Sequence, residues 1–188
     1  MASRPIWLVK CRQSKAQRAH FALFIPNASD AQKNPNDKAV ECRGTIIHVV
    51  GAPMAGYKHE FKHFFDCRAS PDVQEVIRLG SVDEHYIQDS DVESIDDNAL
   101  GIIEKEALKI RPPRVSQNFL APVNDKISQT TNRRCQEWTM EYLHHLRDLN
   151  YITSEAVELA QAERDQPTHG IGLRPARQLS SNATDATK

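Results

Sequence analysis

The chain has 188 residues, of which 39% are apolar and 26% charged, and its formal net charge is −1. This length and apolar content suit one domain with one hydrophobic core, and they exclude a disordered or collagen-like chain. No apolar run approaches the roughly 20 residues that span a bilayer, and residues 1–25 lack the pattern of a signal peptide. We therefore expect a cytoplasmic protein, and the small net charge gives no electrostatic reason to expect nucleic acid or a membrane as a partner.

Strand patterns occupy the first half of the chain. Five segments predict strands: 5–12, 18–25, 44–50, 57–67 and 73–82. Segment 18–25 alternates, with Phe21 on one face and His20 on the other. Segment 57–67 also fits a helix turn, but its flanks and aromatic residues favour a strand.

Helical periodicity takes over in the second half. Three helices are predicted: one capped by Asp96 or Asp97 and running to about Ile110, one over 132–150, and one capped by Thr153 or Ser154. The second helix has an inward stripe of Cys135, Trp138, Tyr142, Leu146 and Leu149. Strands followed by helices predict an α+β domain over residues 1–166, with an antiparallel sheet packed against C-terminal helices. Residues 167–188 are polar and are expected to form a disordered tail.

Cys135 is the candidate nucleophile. Asn132 is a good N-cap residue, which would place Cys135 in the first helical turn, where the positive end of the helix dipole stabilises a thiolate. Arg133 and Arg134 add positive charge nearby. The alternative is that Cys135 only begins the buried stripe, since cysteine is among the most buried residue types.

His20 is the candidate base for that thiol. It lies near the start of segment 18–25, and we expect its imidazole to face the packed helix and accept the thiol proton. If this segment pairs antiparallel with 44–50 so that opposed residue numbers sum to about 68, His48 lies opposite His20 and can orient its imidazole. The alternatives are a surface or core role for His20, and a slip of one residue that turns His48 to the other face.

The chemistry expected of this pair is attack on an amide, ester or thioester carbonyl, through a thioester intermediate. Backbone N–H groups at the start of the helix would hold the oxyanion. Gln136, Gln117 and Asn118 are candidate side-chain donors to the substrate, and the sequence does not choose among them.

Neither a metal nor another cofactor is expected. His59, His63 and Cys67 recur every four residues, so on a helix they would line one face and could hold zinc. On a strand, successive members of this set would lie roughly 13 Å apart, too far for one ion. The chain has no Walker A or dinucleotide-binding glycine motif.

Three motifs resemble the circularly permuted papain-like fold of the relatives of NlpC/P60 peptidases: "RAHFALFIP", "GTIIHVVG" and "NRRCQEWTMEYL". In that group the histidine precedes the cysteine, as it does here. The resemblance implies Cys135 as nucleophile, His20 as base and His48 as the residue that orients it. The acyltransferase-like members carry Asn directly before the cysteine, where this chain has Arg134.

A second resemblance extends over nearly the whole chain, to about Gly172. The stretches "GTIIHVVGAPMAGYKHEFK", "PPRVSQNFLAPVND" and "NRRCQEW" are similar to an uncharacterised family of small fungal proteins, which brings no established activity. Together, residues and resemblance predict a cysteine-dependent hydrolase or acyl-transfer enzyme acting on a small-molecule or peptide substrate. The alternative is a non-catalytic binding protein on the same scaffold.

Overall fold

A computed structural model describes residues 2–116 and 132–169. Within these residues the strands are β1 Ser3–Cys11, β2 His20–Pro26, β3 Arg43–Ala52, β4 Gly56–Asp66, β5 Val73–Asp83 and β6 Ser94–Asp96. The α-helices are α1 Ile102–Leu108, α2 Cys135–Asp148 and α3 Ser154–Ala162. The strands form one antiparallel sheet in the order β5-β1-β2-β3-β4-β6. The predicted α+β class, with an antiparallel sheet and mostly C-terminal helices, is confirmed.

The sheet separates two layers of apolar side chains because successive strand residues point to opposite faces. All three helices pack on one face, which we call the helix face, against residues such as Phe21, Leu23 and Ile47. The opposite face, here the far face, holds a smaller apolar cluster that includes Val9, Ala22, Phe24 and Ile46. His20 and His48 share the strand parity of this second set and therefore belong to the far face.

The pairing of β2 with β3 differs from the predicted register by two residues. Leu23 lies opposite Ile47, so opposed numbers sum to 70, whereas the prediction was about 68. A shift of two residues leaves every side chain on the same face. His20 and His48 are consequently diagonal neighbours and are not directly opposed.

The first helix was predicted to start too early. Asp96 belongs to β6, which pairs with β4, and its carboxylate accepts the backbone N–H of Asn98 at 2.8 Å. α1 begins only at Ile102, after Gly101. The last helix begins as predicted, since the side chain of Thr153 accepts the N–H of Ala156.

None of the helices in the described residues combines the length and apolarity that a bilayer crossing requires.

Candidate functional site

A groove of about 760 Å³ runs along the far face and reaches the start of α2. It can do so because neighbouring strands differ in length: β2 begins at His20, whereas β3 continues to Ala52. The pairing of β2 with β3 ends at Leu23 and Ile47, so β3 from His48 to Ala52 has no paired β2 residue, and this leaves a notch in the sheet. Cys135 from the helix side and His20 from the far face both line the groove at this notch.

Three polar side chains from adjacent strands form a hydrogen-bonded series in the groove wall. His20 Nε2 lies 2.8 Å from His48 Nδ1, and His48 Nε2 lies 3.2 Å from Glu60 Oε1. His48 is only 6% exposed, and His20 is partly exposed to the groove. We call this series the Glu60–His48–His20 relay.

The protonation of the relay follows from burial and charge. Burial, together with His48 and Lys62, lowers the pKa of His20 to about 3, and burial also lowers the pKa of His48. The hydrogen bond from His48 holds the pKa of Glu60 below its usual value. An ionised Glu60 can only accept, so neutral His48 donates through Nε2 and accepts through Nδ1. His20 must then donate through Nε2, which leaves its Nδ1 lone pair available.

Cys135 is the first residue of α2, and its thiol is packed against the strand backbone. Arg134, and not Asn132 as predicted, is the N-cap residue, and its N–H is bonded to the Glu137 carboxylate at 3.0 Å. Cys135 Sγ lies 3.9 Å from the carbonyl oxygen of Ala19, and the residue is 9% exposed. Among the described residues, the hydrogen bonds of the Cys135 thiol do not include His20.

The electrostatic prediction for Cys135 was wrong in sign. Burial raises the pKa of its thiol, although the backbone N–H groups of Phe21 and Gln136 act in the opposite direction. Desolvation of a thiolate therefore outweighs the favourable field of the helix start. The resting form at neutral pH is the thiol.

The orientation predicted for His20 was also wrong. α2 packs on the helix face, against Phe21, so the His20 imidazole points away from the helix that carries Cys135. The two residues line the same groove from opposite faces of the sheet.

Gln136 is fully occupied by contacts within the protein. Its side-chain NH₂ donates to the Ala19 carbonyl and to Asp165, both at 2.9 Å, and its amide oxygen accepts from Arg18 and from the N–H of Asp165. The buried amide thus joins α2 to the start of β2, and both of its N–H donors are used internally. The other two predicted substrate-binding residues, Gln117 and Asn118, lie outside the described residues.

The sequence analysis missed two members of the site. Glu60 faces His48 directly in the β3–β4 pair, and Cys11 faces His20 directly in the β1–β2 pair, partly exposed in the groove. The signal for both is strand parity, since directly opposed residues share a face. Burial raises the pKa of Cys11 to about 11.

The histidines considered for zinc have other partners. β4 is a strand, as favoured, and His59 lies 2.9 Å from the carbonyl oxygen of Ile110. His63 is 3.0 Å from Glu104, and both residues are 1% exposed. In the part of the chain that the structure describes, no group of three His, Cys, Asp or Glu residues could hold a metal ion.

Comparisons with known proteins give one match. No curated protein and no solved structure matches the chain. A family model described as a family of unknown function, DUF6540, matches residues 6–153, which include most of β1, strands β2 to β6, and helices α1 and α2. The protein therefore belongs to the DUF6540 family.

Proposed function

We propose that this protein is a cysteine-dependent hydrolase or acyl-transfer enzyme with Cys135 as nucleophile and His20 as general base, on a fold related to the permuted papain-like enzymes. The observation that carries the proposal is the Glu60–His48–His20 relay, which ends in the groove that the first residue of α2 also lines. A partly buried carboxylate that is hydrogen-bonded to two successive imidazoles can stabilise the last imidazole when it takes up a proton.

The relay suits a neutral starting state. Because His20 and Cys135 are both uncharged at neutral pH, the proton leaves the thiol as the sulfur attacks and not beforehand. His48 and Glu60 then act through His20: they fix its tautomer with Nδ1 unprotonated, and they stabilise the imidazolium that forms.

The reaction proceeds in two halves. Sγ of Cys135 forms a bond to the carbonyl carbon while its proton passes to His20, and the tetrahedral intermediate collapses with loss of the alcohol, thiol or amine, which takes that proton. Water or another acceptor then gives its proton to His20 and attacks the thioester, which releases the acyl product and the free thiol. The backbone N–H of Cys135, at the start of α2, is the proposed oxyanion donor.

A binding protein without catalysis is the second candidate. It is favoured by the thiol of Cys135, which is directed at the Ala19 carbonyl in a nearly closed position. In that case the groove binds a ligand, and His20 and His48 serve only as hydrogen-bond partners for each other.

Thiol labelling separates the two candidates. We expect iodoacetamide to label Cys135 in the native protein at least about tenfold faster than Cys11, Cys42 or Cys67, since general-base assistance is worth roughly a hundredfold or more. The rates are measured by peptide mass mapping over time. Burial alone would make all four thiols slow, because it raises each of their pKa values.

Three variants make this test specific. His20→Ala should remove the advantage of Cys135, and Glu60→Gln should reduce it, because an amide no longer fixes the tautomer of His48 as the carboxylate does. His144→Ala, at an exposed histidine of α2, is the matched control and should label at the wild-type rate. Equal labelling of all four thiols, or a rate at Cys135 that His20→Ala leaves unchanged, would establish the binding protein instead.

A further inference from the structure

The oxyanion of the proposed reaction has a backbone donor but no assigned side-chain donor. Fixed hydrogen-bond donors that face the developing negative charge are usually the largest contribution to this kind of catalysis. Gln136 does not serve, since the two N–H groups of its amide are bonded to Ala19 and Asp165. His20 Nε2 lies 2.8 Å from His48 and donates to it. A side-chain donor therefore has to come from another residue of the groove.

Tyr57 lies at the start of β4 and lines the groove. Its ring packs against the helix-face cluster, which also includes Cys135. His59, two residues further along β4, packs on Trp138 with ring centroids 5.7 Å apart, and Trp138 follows Cys135 by three residues in α2. The start of β4 and the start of α2 are thus neighbours, and Tyr57 and Cys135 both line the groove from the helix face.

The Tyr57 hydroxyl makes no hydrogen bond to another residue within the ranges 2–116 and 132–169. The side chain is half-buried and is partly exposed where it lines the groove. Tyr142 shows the alternative, since its hydroxyl is buried and donates to the Ile103 carbonyl oxygen at 2.5 Å. A phenol can both donate and accept a hydrogen bond. The hydroxyl of Tyr57 can therefore donate to a ligand in the groove.

The surroundings of the phenol group keep it protonated. Burial raises the pKa of Tyr57, and the thiol of Cys135 acts in the same direction. Smaller effects come from the charges of Arg134, Glu137 and Arg18. Arg134 caps α2, and Glu137, in its first turn, is 2.8 Å from Arg18. The groups that act on the phenol are therefore those at the start of α2, where the oxyanion of the proposed reaction forms.

We infer that the Tyr57 hydroxyl is a second oxyanion donor, which donates a hydrogen bond to the carbonyl oxygen of the substrate while Cys135 attacks the carbonyl carbon. This inference rests on the proposed function. The base and the donors then act from opposite faces of the sheet, with His20 on the far face and Tyr57 and the backbone N–H of Cys135 on the helix face. The phenol proton stays on its oxygen throughout, and the hydrogen bond strengthens as negative charge develops on the acceptor.

Ester hydrolysis and thiol alkylation together test the inference on the full-length protein. Hydrolysis of p-nitrophenyl acetate passes through an oxyanion, whereas alkylation of Cys135 by iodoacetamide displaces iodide and forms no oxyanion. Tyr57→Phe should lower kcat/KM for the ester about a hundredfold, as the loss of one oxyanion donor does, and should leave the labelling rate of Cys135 unchanged. Tyr151→Phe is the matched control, since it removes a hydroxyl from a ring that stacks on Tyr86. It should change neither rate.

A second measurement needs no turnover. Propanal adds to a thiol to give a hemithioacetal: sulfur bonds to the carbonyl carbon, and the thiol proton ends on the oxygen, which takes the place of the oxyanion. Its binding is measured as protection of Cys135 from iodoacetamide. Tyr57→Phe should weaken propanal about tenfold, because one hydrogen bond to the adduct is lost. Protection that is equal in the wild type and in Tyr57→Phe would contradict the inference.

The two proposals fail in different ways. An ester rate that Tyr57→Phe leaves unchanged would overturn the role of Tyr57 and leave the cysteine enzyme in place. So would ester and labelling rates that fall together, because Tyr57 would then act on the thiol and not on the oxyanion. Ester hydrolysis that Cys135→Ala does not reduce would contradict the enzyme, and the oxyanion donor with it.

Discussion

The surroundings of His20 lower the pKa of its imidazole. Desolvation is the largest cause of its lowered pKa, and the positive charge of Lys62 acts in the same direction. The free energy of removing an imidazolium from water thus favours the neutral ring. A neutral ring at physiological pH is the form that a general base requires, but the lowered pKa also makes the ring a weaker base, so the Glu60 carboxylate has to stabilise the imidazolium as it forms.

The shift makes the stability of the protein depend on pH. The pKa of His20 is about 3 in the folded protein and about 6.5 in the unfolded chain, so between these values the unfolded chain binds more protons. The contribution of His20 is therefore fully present above pH 6.5 and is lost as the pH falls towards 3. Between pH 7 and pH 5 we expect the free energy of unfolding to fall by about 2 kcal/mol from this residue.

Urea denaturation of the wild type and of His20→Gln at the two pH values measures this contribution. The variant cannot titrate at this position and should lose less stability on acidification. His63 provides a contrast of opposite sign, because the hydrogen bond to Glu104 raises its pKa. Its contribution is present below the unfolded pKa and is lost as the pH rises through the folded one. Equal losses in wild type and His20→Gln would contradict the lowered pKa of His20.

At the scale of elements, the regular strands could be predicted because their signal is local. Alternation in segment 18–25, and β-rich composition with turn residues at the flanks elsewhere, identified β1 to β5 to within two residues at each end. β6 has three residues and is specified by its pairing with β4. A segment of that length carries too little periodicity to be recognised. The start of α1 was predicted too early because Asp96 is a residue type that often caps helices. In the structure Asp96 belongs to β6 instead, because that short strand pairs with β4.

The candidate site was harder to predict than the elements. Strand parity placed His20 and His48 on one face, but nothing local indicates which face the helices cover. The sequence analysis placed the helix on the wrong side of His20, and the groove that both residues line lies where the β2–β3 pairing has ended. Glu60 was missed because its segment had no assigned register, although it directly opposes His48.

The pairing of β2 with β3 positions the relay. At Gly44 the two backbones lie too close together for a side chain to be added. A Cβ at this position would lie 2.2 Å from the carbonyl oxygen of Ile25 and 2.6 Å from the Cα of Pro26. Both obstacles are backbone atoms, so a methyl group can be accommodated only if the strands separate. Gly44→Ala should therefore cost about 3 kcal/mol of stability, at the upper end of what overpacking costs.

Chemical denaturation, with amide hydrogen exchange resolved by strand, tests Gly44→Ala. The exchange of β2 and β3 amides should accelerate more than that of the β1–β5 pair, because the strain is local to the β2–β3 pair. An unchanged denaturation midpoint would contradict the close approach of the two backbones at this position.

At the scale of the whole molecule, the segment after α3 joins three distant parts of the chain at the groove. Asp165 accepts the N–H of Ala19 at 2.7 Å, the Gln136 amide at 2.9 Å and the Arg12 guanidinium at 2.6 Å. It thereby connects the end of β1, the residue before β2 and the start of α2. Asp165 lies just before the predicted tail at 167–188, and the pKa of its carboxyl is lowered because these donors outweigh its burial.

Asp165→Ala should lower the free energy of unfolding by about 3 kcal/mol, because it leaves Arg12 without its carboxylate and the Ala19 N–H without an acceptor. Asp148→Ala is the matched control, since Asp148 is exposed and, within residues 2–116 and 132–169, its carboxylate is bonded to its neighbour Arg147 alone. Denaturation measures the stability, and hydrogen exchange of the Ala19 amide reports the local contact. We expect that amide to exchange faster in Asp165→Ala and at the wild-type rate in the control. If Asp165→Ala were as stable as Asp148→Ala, the three parts of the site would be held together by their own packing, and the segment after α3 would have no part in positioning the start of α2 at the groove.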